Sequence, residues 1–196
     1  SQLITFNQTT WRTKRSIAGG GVLLDQGIHI VDLIRLFIGE IIEVKSFVSN
    51  NFWKFDVEDN AYAILRTSKN IYAFIHSSAT QWRHRFNLEI NLTKGSLVLE
   101  GILSGSKSYG DEKLTIVQLD PLKGNGNPKE KIIKYVNDPS WKKEIQNFAD
   151  TLIKNQSVVL SSSRDAINCM KVIYDIYSSD KKWKKKYKIP NPILIK

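Results

Sequence analysis

Three residues with side chains suited to acid–base chemistry, Asp25, His29 and Asp32, closely follow a glycine triplet at residues 19–21. In an α-helix of about 3.6 residues per turn, these side chains fall within roughly 60° of one another. Asp25 and His29 are spaced so that they can meet, and His29 and Asp32 allow a second contact. A carboxylate beside an imidazole orients the ring and favours its charged form, which is the setting of a general base.

The rest of this helix is almost entirely apolar, and a helix that is apolar nearly all round is predicted to be buried. We therefore expect Asp25 and His29 to be buried side by side, at a cost that a function would explain. The triplet would let a ligand or another backbone come close to the start of the helix. The alternative is a buried histidine satisfied by Asp25 or Asp32, with glycines that serve only a tight turn.

Length and composition favour a globular protein. The chain has 196 residues, with 41% hydrophobic and 10% aromatic content, and we expect a single domain over residues 1–196. No apolar run approaches the ~20 residues of a membrane span, and residues 1–6 do not resemble a signal peptide. The single cysteine, Cys169, excludes an internal disulfide. We interpret it as a packed thiol in a reducing, cytoplasmic compartment.

The net charge is +10, and many of the lysines are scattered along the chain. The one dense run is Lys-Lys-Trp-Lys-Lys-Lys-Tyr-Lys at residues 181–188. A basic run with interleaved aromatics can bind nucleic acid or an anionic surface. We favour a solvated helix end, where lysines also suit the helix dipole, so nucleic acid is not the expected partner. No metal site is predicted, because the three histidines are far apart in the sequence and one cysteine is available.

Helix and strand patterns outline the fold. The first helix should run from about Gly21 to Phe37 and stop at Gly39. Short turns at residues 68–70 and 93–95 predict two hairpins, and residues 124–128 predict a loop. Two later helices are predicted, one with Asp138 as its N-cap and Pro139 at its first position, and one that begins after Ser162, which forms a capping box with Asp165. Strand patterns cover residues 41–48, 60–66, 71–78, 86–92, 96–100, 113–119 and 131–136, and residues 1–18 look extended.

Hairpins in series without βαβ units predict an α+β fold, an open and mostly antiparallel sheet of about six strands with helices packed on one face. The second face of such a sheet is either wet or paired. Apolar residues such as Tyr62, Tyr72 and Phe74 alternate with other apolar residues, so we expect a homodimer or tetramer through this face. The alternative is that these three side chains pack under a loop at residues 101–112 or 120–130.

The pattern Gly-Gly-Gly-x-Leu-x-Asp-x-Gly-x-His-x-x-Asp at residues 19–32 resembles one particular family. It is similar to the helix that opens the C-terminal domain of the glucose–fructose oxidoreductase, inositol dehydrogenase and rhizopine-catabolism (Gfo/Idh/MocA) family. The resemblance covers nearly the whole chain. It includes Trp11-Arg12, Val57-Glu58-Asp59-Asn60, Gly95-Ser96-Leu97, the helix from Trp141 to Leu152 and the end of the late helix at residues 176–179.

The resemblance implies the same antiparallel fold and a nicotinamide-dependent oxidoreductase that acts on sugars, polyols or nucleotide sugars. By resemblance, Asp25 and His29 match the family's aspartate and its catalytic histidine. His29 would take the proton of a substrate hydroxyl, and Asp25 would hold the substrate or polarise the site. The substrate-binding candidates are Trp11, Arg12, Gly21, Asp32 and Arg83. A solvated strand end is the alternative for Arg83. Glu58-Asp59 is a further candidate for a substrate contact, but we favour a charge pair at the start of a strand.

The sequence departs from the family in one respect. It contains neither the glycine-rich fingerprint of a dinucleotide-binding domain nor the family's Glu-Lys-Pro motif. Gly101 to Gly105 does not open a helix after a strand, so it fails the structural context of that fingerprint. We therefore expect the C-terminal part of a longer enzyme, with NAD or NADP bound elsewhere and no cofactor site in this chain. The alternatives are a non-catalytic assembly domain or a basic binding module that uses the Lys181–Lys188 run.

Overall fold

The structure is a computed structural model that describes residues 10–104, 107–120, 122, 124–155 and 162–190. The chain divides into two compact units, one of Ser1–Thr80 with Val158–Lys196 and the other of Gln81–Ser157. The single domain expected over residues 1–196 stays a prediction. Within the described ranges, no helix is long and apolar enough to cross a membrane.

The elements follow one another in this order. The helices are α1 (Arg15–Ala18), α2 (Ile28–Ile38), α3 (Ser140–Ile153), α4 (Ser163–Ser179) and α5 (Lys181–Tyr187), with a 3₁₀ turn at Trp11–Thr13 and a π-helical turn at Leu23–Gly27. The strands are β1 (Ile41–Ser49), β2 (Asn60–Thr67), β3 (Tyr72–Ser78), β4 (Asn87–Leu92), β5 (Gly95–Glu100), β6 (Lys113–Asp120) and β7 (Gly124–Lys134).

All strand pairs described are antiparallel, which confirms the α+β fold class. The strands form a three-stranded sheet, β1-β2-β3, and a four-stranded sheet, β4-β5-β6-β7. Both predicted hairpins are present, β2-β3 and β4-β5. Seven strands in two sheets therefore replace the single sheet of about six strands expected from the sequence.

Two local predictions are wrong. Residues 124–128 are not a loop but the start of β7, where Gly124 pairs with Asp120 of β6. Strand β7 lies at the edge of its sheet, and an edge strand tolerates Pro128. Residues 10–18 are not extended, because they form the 3₁₀ turn and α1. The first nine residues of that prediction lie outside the described residues.

The predicted helix ends are confirmed with small shifts. Helix α2 ends at Ile38 and Gly39 follows it. The capping box before α4 is present, with Ser162 and Asp165 bonded to each other's backbone N–H groups. Helix α3 begins one residue later than expected, at Ser140, whose N–H donates to the Asp138 carboxylate at 2.9 Å.

The core of the first unit lies on one side of the β1-β2-β3 sheet. Helices α2 and α4 cover that side. Along β2, Ala61, Ala63 and Leu65 are buried, whereas Tyr62 and Ile64 between them are exposed. The helices contribute Val31, Ile34, Cys169, Val172, Ile173, Ile176 and Tyr177 to the same cluster. The alternation along β2 leaves the second side of this sheet apolar and exposed.

Candidate functional site

The side chains of Asp25, His29 and Asp32 are exposed, so the predicted burial of this group is wrong. The buried side of the same segment is formed by Leu23 and Val31 and others that face the sheet. The sequence shows apolar residues on nearly every side of the helix, but only some of them are covered. Leu36 and Phe37, for example, are 62% and 49% exposed. These carboxylates and the imidazole therefore stay in contact with water, and no cost of burial has to be explained.

The predicted contacts of His29 with the two carboxylates are also wrong. Asp25 lies in the π-helical turn, which changes the angular spacing on which its contact with His29 depended. Asp25 accepts a hydrogen bond from Gln26 at 3.3 Å and faces the guanidinium of Arg12 at 3.8 Å. Asp32 accepts a bond from the Cys169 thiol at 3.2 Å. Within the described part of the chain, no hydrogen bond joins His29 to either aspartate.

Four of the predicted site residues do come together. Trp11, Arg12, Gly21 and Asp25 line one cavity of about 230 Å³ at the start of the helix. The Arg12 guanidinium carbon lies 4.7 Å from the centre of the Trp11 ring, and both side chains are exposed. His29 and Asp32 follow on the same helical segment. Arg83 is an exposed residue of the second unit and does not line this cavity.

Sequence reasoning missed the residue that holds this segment in place, Glu58. Its side chain is 2% exposed and accepts hydrogen bonds from the backbone N–H groups of Gly21, at 2.8 Å, and Leu23, at 3.0 Å. The hydroxyl of Tyr177 donates to the same carboxylate at 2.7 Å. The Glu58 carbonyl oxygen accepts from the N–H of Val22 at 3.2 Å. One residue thus binds three successive backbone N–H groups at the start of the helix.

The glycine triplet is explained by these contacts. A Cβ on Gly21 would collide with the Glu58 carbonyl oxygen, and a Cβ on Gly20 would collide with the Tyr177 hydroxyl. The sequence predicted that the triplet lets a ligand or another backbone come close. In the structure, the backbone of Glu58 comes close to Gly21. The signal available in the sequence was a carboxylate directly after the apolar Val57 and two residues before the strand pattern at residues 60–66.

Burial also shifts the pKa values of Glu58 and Tyr177. It raises the pKa of Glu58, and the hydrogen bonds from Tyr177, Gly21 and Leu23 oppose that shift only in part. Burial and the neighbouring carboxylate raise the pKa of Tyr177 well above its ordinary value. Tyr177 therefore keeps its proton at neutral pH and remains a hydrogen-bond donor to Glu58.

Asp59 is a second buried carboxylate, and it binds a different segment of backbone. It is 4% exposed and accepts from the backbone N–H groups of Phe52, at 2.9 Å, and Trp53, at 3.0 Å. These bonds close the turn before β2. Glu58 and Asp59 lie directly before β2, where a charge pair at the start of a strand was expected, and both are buried and bonded inside the protein.

Cys169 is a packed thiol, as expected, and is 3% exposed. Its sulfur accepts a hydrogen bond from Arg35 at 3.3 Å and donates one to Asp32. Burial raises the pKa of this thiol. Cys169 thus holds the Asp32 carboxylate of the exposed helix face from the buried side of the helix.

The lysine run forms α5, and its aromatic residues point into the first unit. Trp183 is 3% exposed, and Tyr187 packs against the core cluster. The guanidinium of Arg15 lies over the rings of Tyr177, Trp183 and Tyr187, at 5.2, 5.8 and 5.2 Å from their centres. These rings are engaged inside the protein, which supports the solvated helix end. In the described ranges, no group of three or more His, Cys, Asp or Glu side chains is placed to hold a metal ion.

The described elements form an α+β domain with two antiparallel sheets, which carries the exposed Asp25–His29–Asp32 helix face. Residues 2–98 match the family model described as the GFO/IDH/MocA C-terminal domain. The chain therefore carries a GFO/IDH/MocA C-terminal domain, and the resemblance drawn from its sequence is confirmed.

Named proteins that are similar to this chain include the following oxidoreductases. A 1,5-anhydro-D-fructose reductase of Ensifer adhaerens is 28% identical over 96 residues, 48% of this chain and 29% of that protein. Levoglucosan dehydrogenase, in a complex with NADH and levoglucosan, matches 88% of this chain and 52% of its own, with a TM-score of 0.71 and 17% identity. Aldose-aldose oxidoreductase of Caulobacter crescentus, complexed with glycerol, matches 89% of this chain and 49% of its own, with a TM-score of 0.69 and 20% identity. The chain spans about half the length of these structural relatives.

Proposed function

We propose that this chain is the substrate-binding part of a nicotinamide-dependent oxidoreductase that interconverts a secondary alcohol and a ketone on a sugar, a polyol or a nucleotide sugar. His29 is the acid–base residue in this proposal, and Asp25 orients the substrate. The observation that supports it best is the exposed helix face, since Asp25 lines a cavity with Trp11 and Arg12 and His29 follows on the same segment.

The cavity suits a polyhydroxylated ligand. The Asp25 carboxylate accepts hydrogen bonds from hydroxyl groups and the Arg12 guanidinium donates them, while the Trp11 ring offers a flat apolar surface to the C–H side of a sugar ring. Arg12 and Asp25 stand 3.8 Å apart and both are about half exposed, so water keeps their pairing weak. A ligand can therefore replace that pairing at little cost.

Oxidation of a secondary alcohol removes a hydride from carbon and a proton from oxygen. A bound nicotinamide would supply the hydride acceptor, and the proton would need a base. Neutral His29 can accept that proton, and its charged form can return a proton to the ketone oxygen in the reverse direction.

The start of the helical segment at Gly21 does not fit the pyrophosphate of a dinucleotide. A pyrophosphate commonly binds at free backbone N–H groups where a helix begins. Here the N–H groups of Gly21 and Leu23 are already bonded to the Glu58 carboxylate. The cofactor of the proposed enzyme, NAD or NADP, is therefore held by other residues, and this chain contributes substrate binding and proton transfer.

The names of the relatives support the substrate class. One is a reductase of an anhydro sugar, one a dehydrogenase complexed with NADH and levoglucosan, and one an oxidoreductase of aldoses. We infer a sugar-like alcohol as the substrate. A nucleotide sugar would need a further anion site, for which Arg83 is the candidate.

The test is an assay of the complete enzyme with NAD(H) and NADP(H) against a panel of sugars, polyols and nucleotide sugars, followed by absorbance at ~340 nm. We expect turnover with at least one of them, and His29→Ala to lower kcat by roughly 10²–10⁴-fold. His76→Ala, a histidine on β3, is the matched control and should leave kcat unchanged. Turnover of His29→Ala near the wild-type value would contradict the assignment of His29.

A second function, assembly, is favoured by the uncovered side of the β1-β2-β3 sheet. Phe47, Tyr62, Ile64, Tyr72 and Phe74 lie there and are 39–78% exposed. We propose that this sheet face forms a homodimer, or part of a tetramer, and the proposal is compatible with the enzymatic one. A basic binding module is the least supported alternative, because the aromatic residues of α5 are bonded or packed inside the unit.

A further inference from the structure

The carboxylate of Glu58 is buried and takes no part in the proton transfer proposed above. Its two oxygens accept from two backbone N–H groups of the glycine segment, and that segment leads directly into the π-helical turn that carries Asp25. The N–H of Asp25 in turn donates to the carbonyl oxygen of Gly21 at 2.9 Å. Glu58 is thus connected to Asp25 through a single peptide segment.

The segment is held from a second direction. The hydroxyl of Ser77 on β3 donates to the carbonyl oxygen of Val22 at 3.1 Å. The hydroxyl of Tyr177 on α4 donates to the Glu58 carboxylate and fills the space beside Gly20. Residues 20–23 therefore have little room to move, since a strand, a helix and the Glu58 turn each contact them.

We propose that Glu58 is a positioning residue of the substrate site: through its bonds to Gly21 and Leu23 it fixes the π-helical turn that aims Asp25 into the cavity. The proposal rests on the proposed function only for the catalytic consequence. The positioning itself is a statement about residues 19–25 in the folded protein.

Glutamine at position 58 is the informative change. It keeps the size of the side chain but replaces one acceptor oxygen with an amide donor, which then faces a backbone N–H or the Tyr177 hydroxyl. One buried donor is left without a partner, and the segment should shift to satisfy it. A displacement of about 1 Å at a substrate-positioning group lowers turnover by up to ~10²-fold.

Asp59→Asn is the matched control. It also removes a buried carboxylate charge, one residue away, but Asp59 bonds to Phe52 and Trp53 and not to the glycine segment. A merely structural role for Glu58 predicts that the two variants behave alike. A positioning role predicts that only Glu58→Gln disturbs residues 19–25.

The experiment compares hydrogen–deuterium exchange and kinetics in the complete protein. We expect Glu58→Gln to raise deuterium uptake in residues 19–25 by at least about threefold, with uptake in β2 unchanged, and to lower kcat on the order of 10- to 100-fold. Asp59→Asn should keep residues 19–25 and kcat at wild-type values. Equal uptake in residues 19–25 for the two variants would overturn the proposal, even if the enzyme accepts a sugar.

The two hypotheses fail in different ways. If no sugar is turned over by the wild-type protein, the proposed function fails, but the exchange measurement still decides whether Glu58 holds residues 19–25. If Glu58→Gln does not fold, Tyr177→Phe replaces it, because it removes one of the hydrogen bonds to the carboxylate and leaves the carboxylate in place. Tyr177→Phe should raise uptake in residues 19–25 by less than a full loss of the tether, about 1.5- to 3-fold, and unchanged uptake would overturn the proposal.

Discussion

The phenol oxygen of Tyr177 occupies the space where a side chain on Gly20 would begin. That oxygen is held in place by its 2.7 Å hydrogen bond to Glu58. The first helix of the site can therefore start where it does only because position 20 carries no Cβ. Glycine is needed here for the close approach of another side chain.

We predict that Gly20→Ala destabilises the protein by about 1–3 kcal/mol, the usual cost of forcing extra atoms into a packed site. Tyr177→Phe removes the colliding oxygen, so the double variant should be more stable than the sum of the single changes implies, by about 1 kcal/mol. Recovery is partial because Leu24 Cβ also lies 2.9 Å from the added carbon. Urea unfolding of the four proteins measures these differences.

Gly126→Ala is the control for this double-mutant cycle. Nothing lies within 4 Å of a Cβ placed on Gly126, so the change should leave the free energy of unfolding within about 0.5 kcal/mol. Strictly additive effects of Gly20→Ala and Tyr177→Phe would show that the two positions do not interact.

We predict that Glu58 makes stability fall with rising pH. Burial raises the pKa of Glu58 in the folded state above its ordinary value of 4.5, so the folded protein binds the proton more tightly than the unfolded chain does. The stabilisation is fully present below the unfolded pKa and is lost as the pH rises through the folded pKa. Wild-type protein should therefore lose stability relative to Glu58→Gln as the pH increases above about 4.5.

Urea unfolding of both proteins at a series of pH values from about 4 to 9 measures this difference. All other titrating groups are shared and cancel in the comparison, which isolates Glu58. A difference that stays constant, or one that increases with pH in favour of the wild type, would contradict a raised pKa.

Much of the fold was predictable because its signals are local. The turns at residues 68–70 and 93–95, the Ser162–Asp165 capping box and Gly39 each act on neighbouring residues, and all occur where the sequence places them. The prediction of a loop at residues 124–128 was wrong for the converse reason. Their turn-forming residues favour a loop, but the segment begins the edge strand β7, in which Gly124 pairs with Asp120 of β6.

The site was only partly predictable because its key contacts join distant segments. Glu58 bonds to residues 35 and 37 positions away, and Tyr177 lies 119 positions from Glu58. Helical periodicity showed that Asp25 and His29 share a segment, but it could not show which side of an apolar helix meets the sheet. Helical periodicity also does not predict the π-helical turn. In that turn, Asp25 faces Arg12 instead of His29.

We predict that this chain by itself binds NADH no more tightly than a millimolar dissociation constant. The backbone N–H groups of Gly21 and Leu23, at the start of the helical segment that leads into α2, are bonded to Glu58 and are not available to a pyrophosphate. Isothermal titration calorimetry on the isolated chain measures this. A micromolar dissociation constant would show that the described residues do hold the dinucleotide.

We predict weak and salt-sensitive binding of nucleic acid by the Lys181–Lys188 run. Trp183 is buried and cannot stack on bases, so only the lysine charges are available. Nonspecific electrostatic binding of this kind has a dissociation constant of about 10⁻⁴–10⁻⁶ M and weakens steeply with salt. Fluorescence anisotropy with a labelled duplex at two salt concentrations tests this, and tight sequence-selective binding at physiological salt would support the basic-module alternative.

The last prediction concerns the exposed side of the β1-β2-β3 sheet, which we expect to pair with a second copy of the chain. Phe47, Tyr72 and Phe74 are 78%, 63% and 67% exposed there, and Tyr62 stacks on His76 with ring centres 4.3 Å apart. Such a row of rings in water is unfavourable, and a two-fold pair is the commonest way to cover it. Light scattering should find at least a dimer of the 22.4 kDa chain at tens of micromolar.

Phe74→Glu should shift this assembly to monomer, because the new charge would have to be buried against a partner. Leu36→Glu is the matched control, since Leu36 is an apolar residue of α2 with a similar exposure of 62% and lies on a helix instead of the sheet face. It should leave the mass unchanged. A wild-type species of one chain mass that shows no concentration dependence would rule out the dimer, and an equal loss of assembly in both variants would place the interface elsewhere.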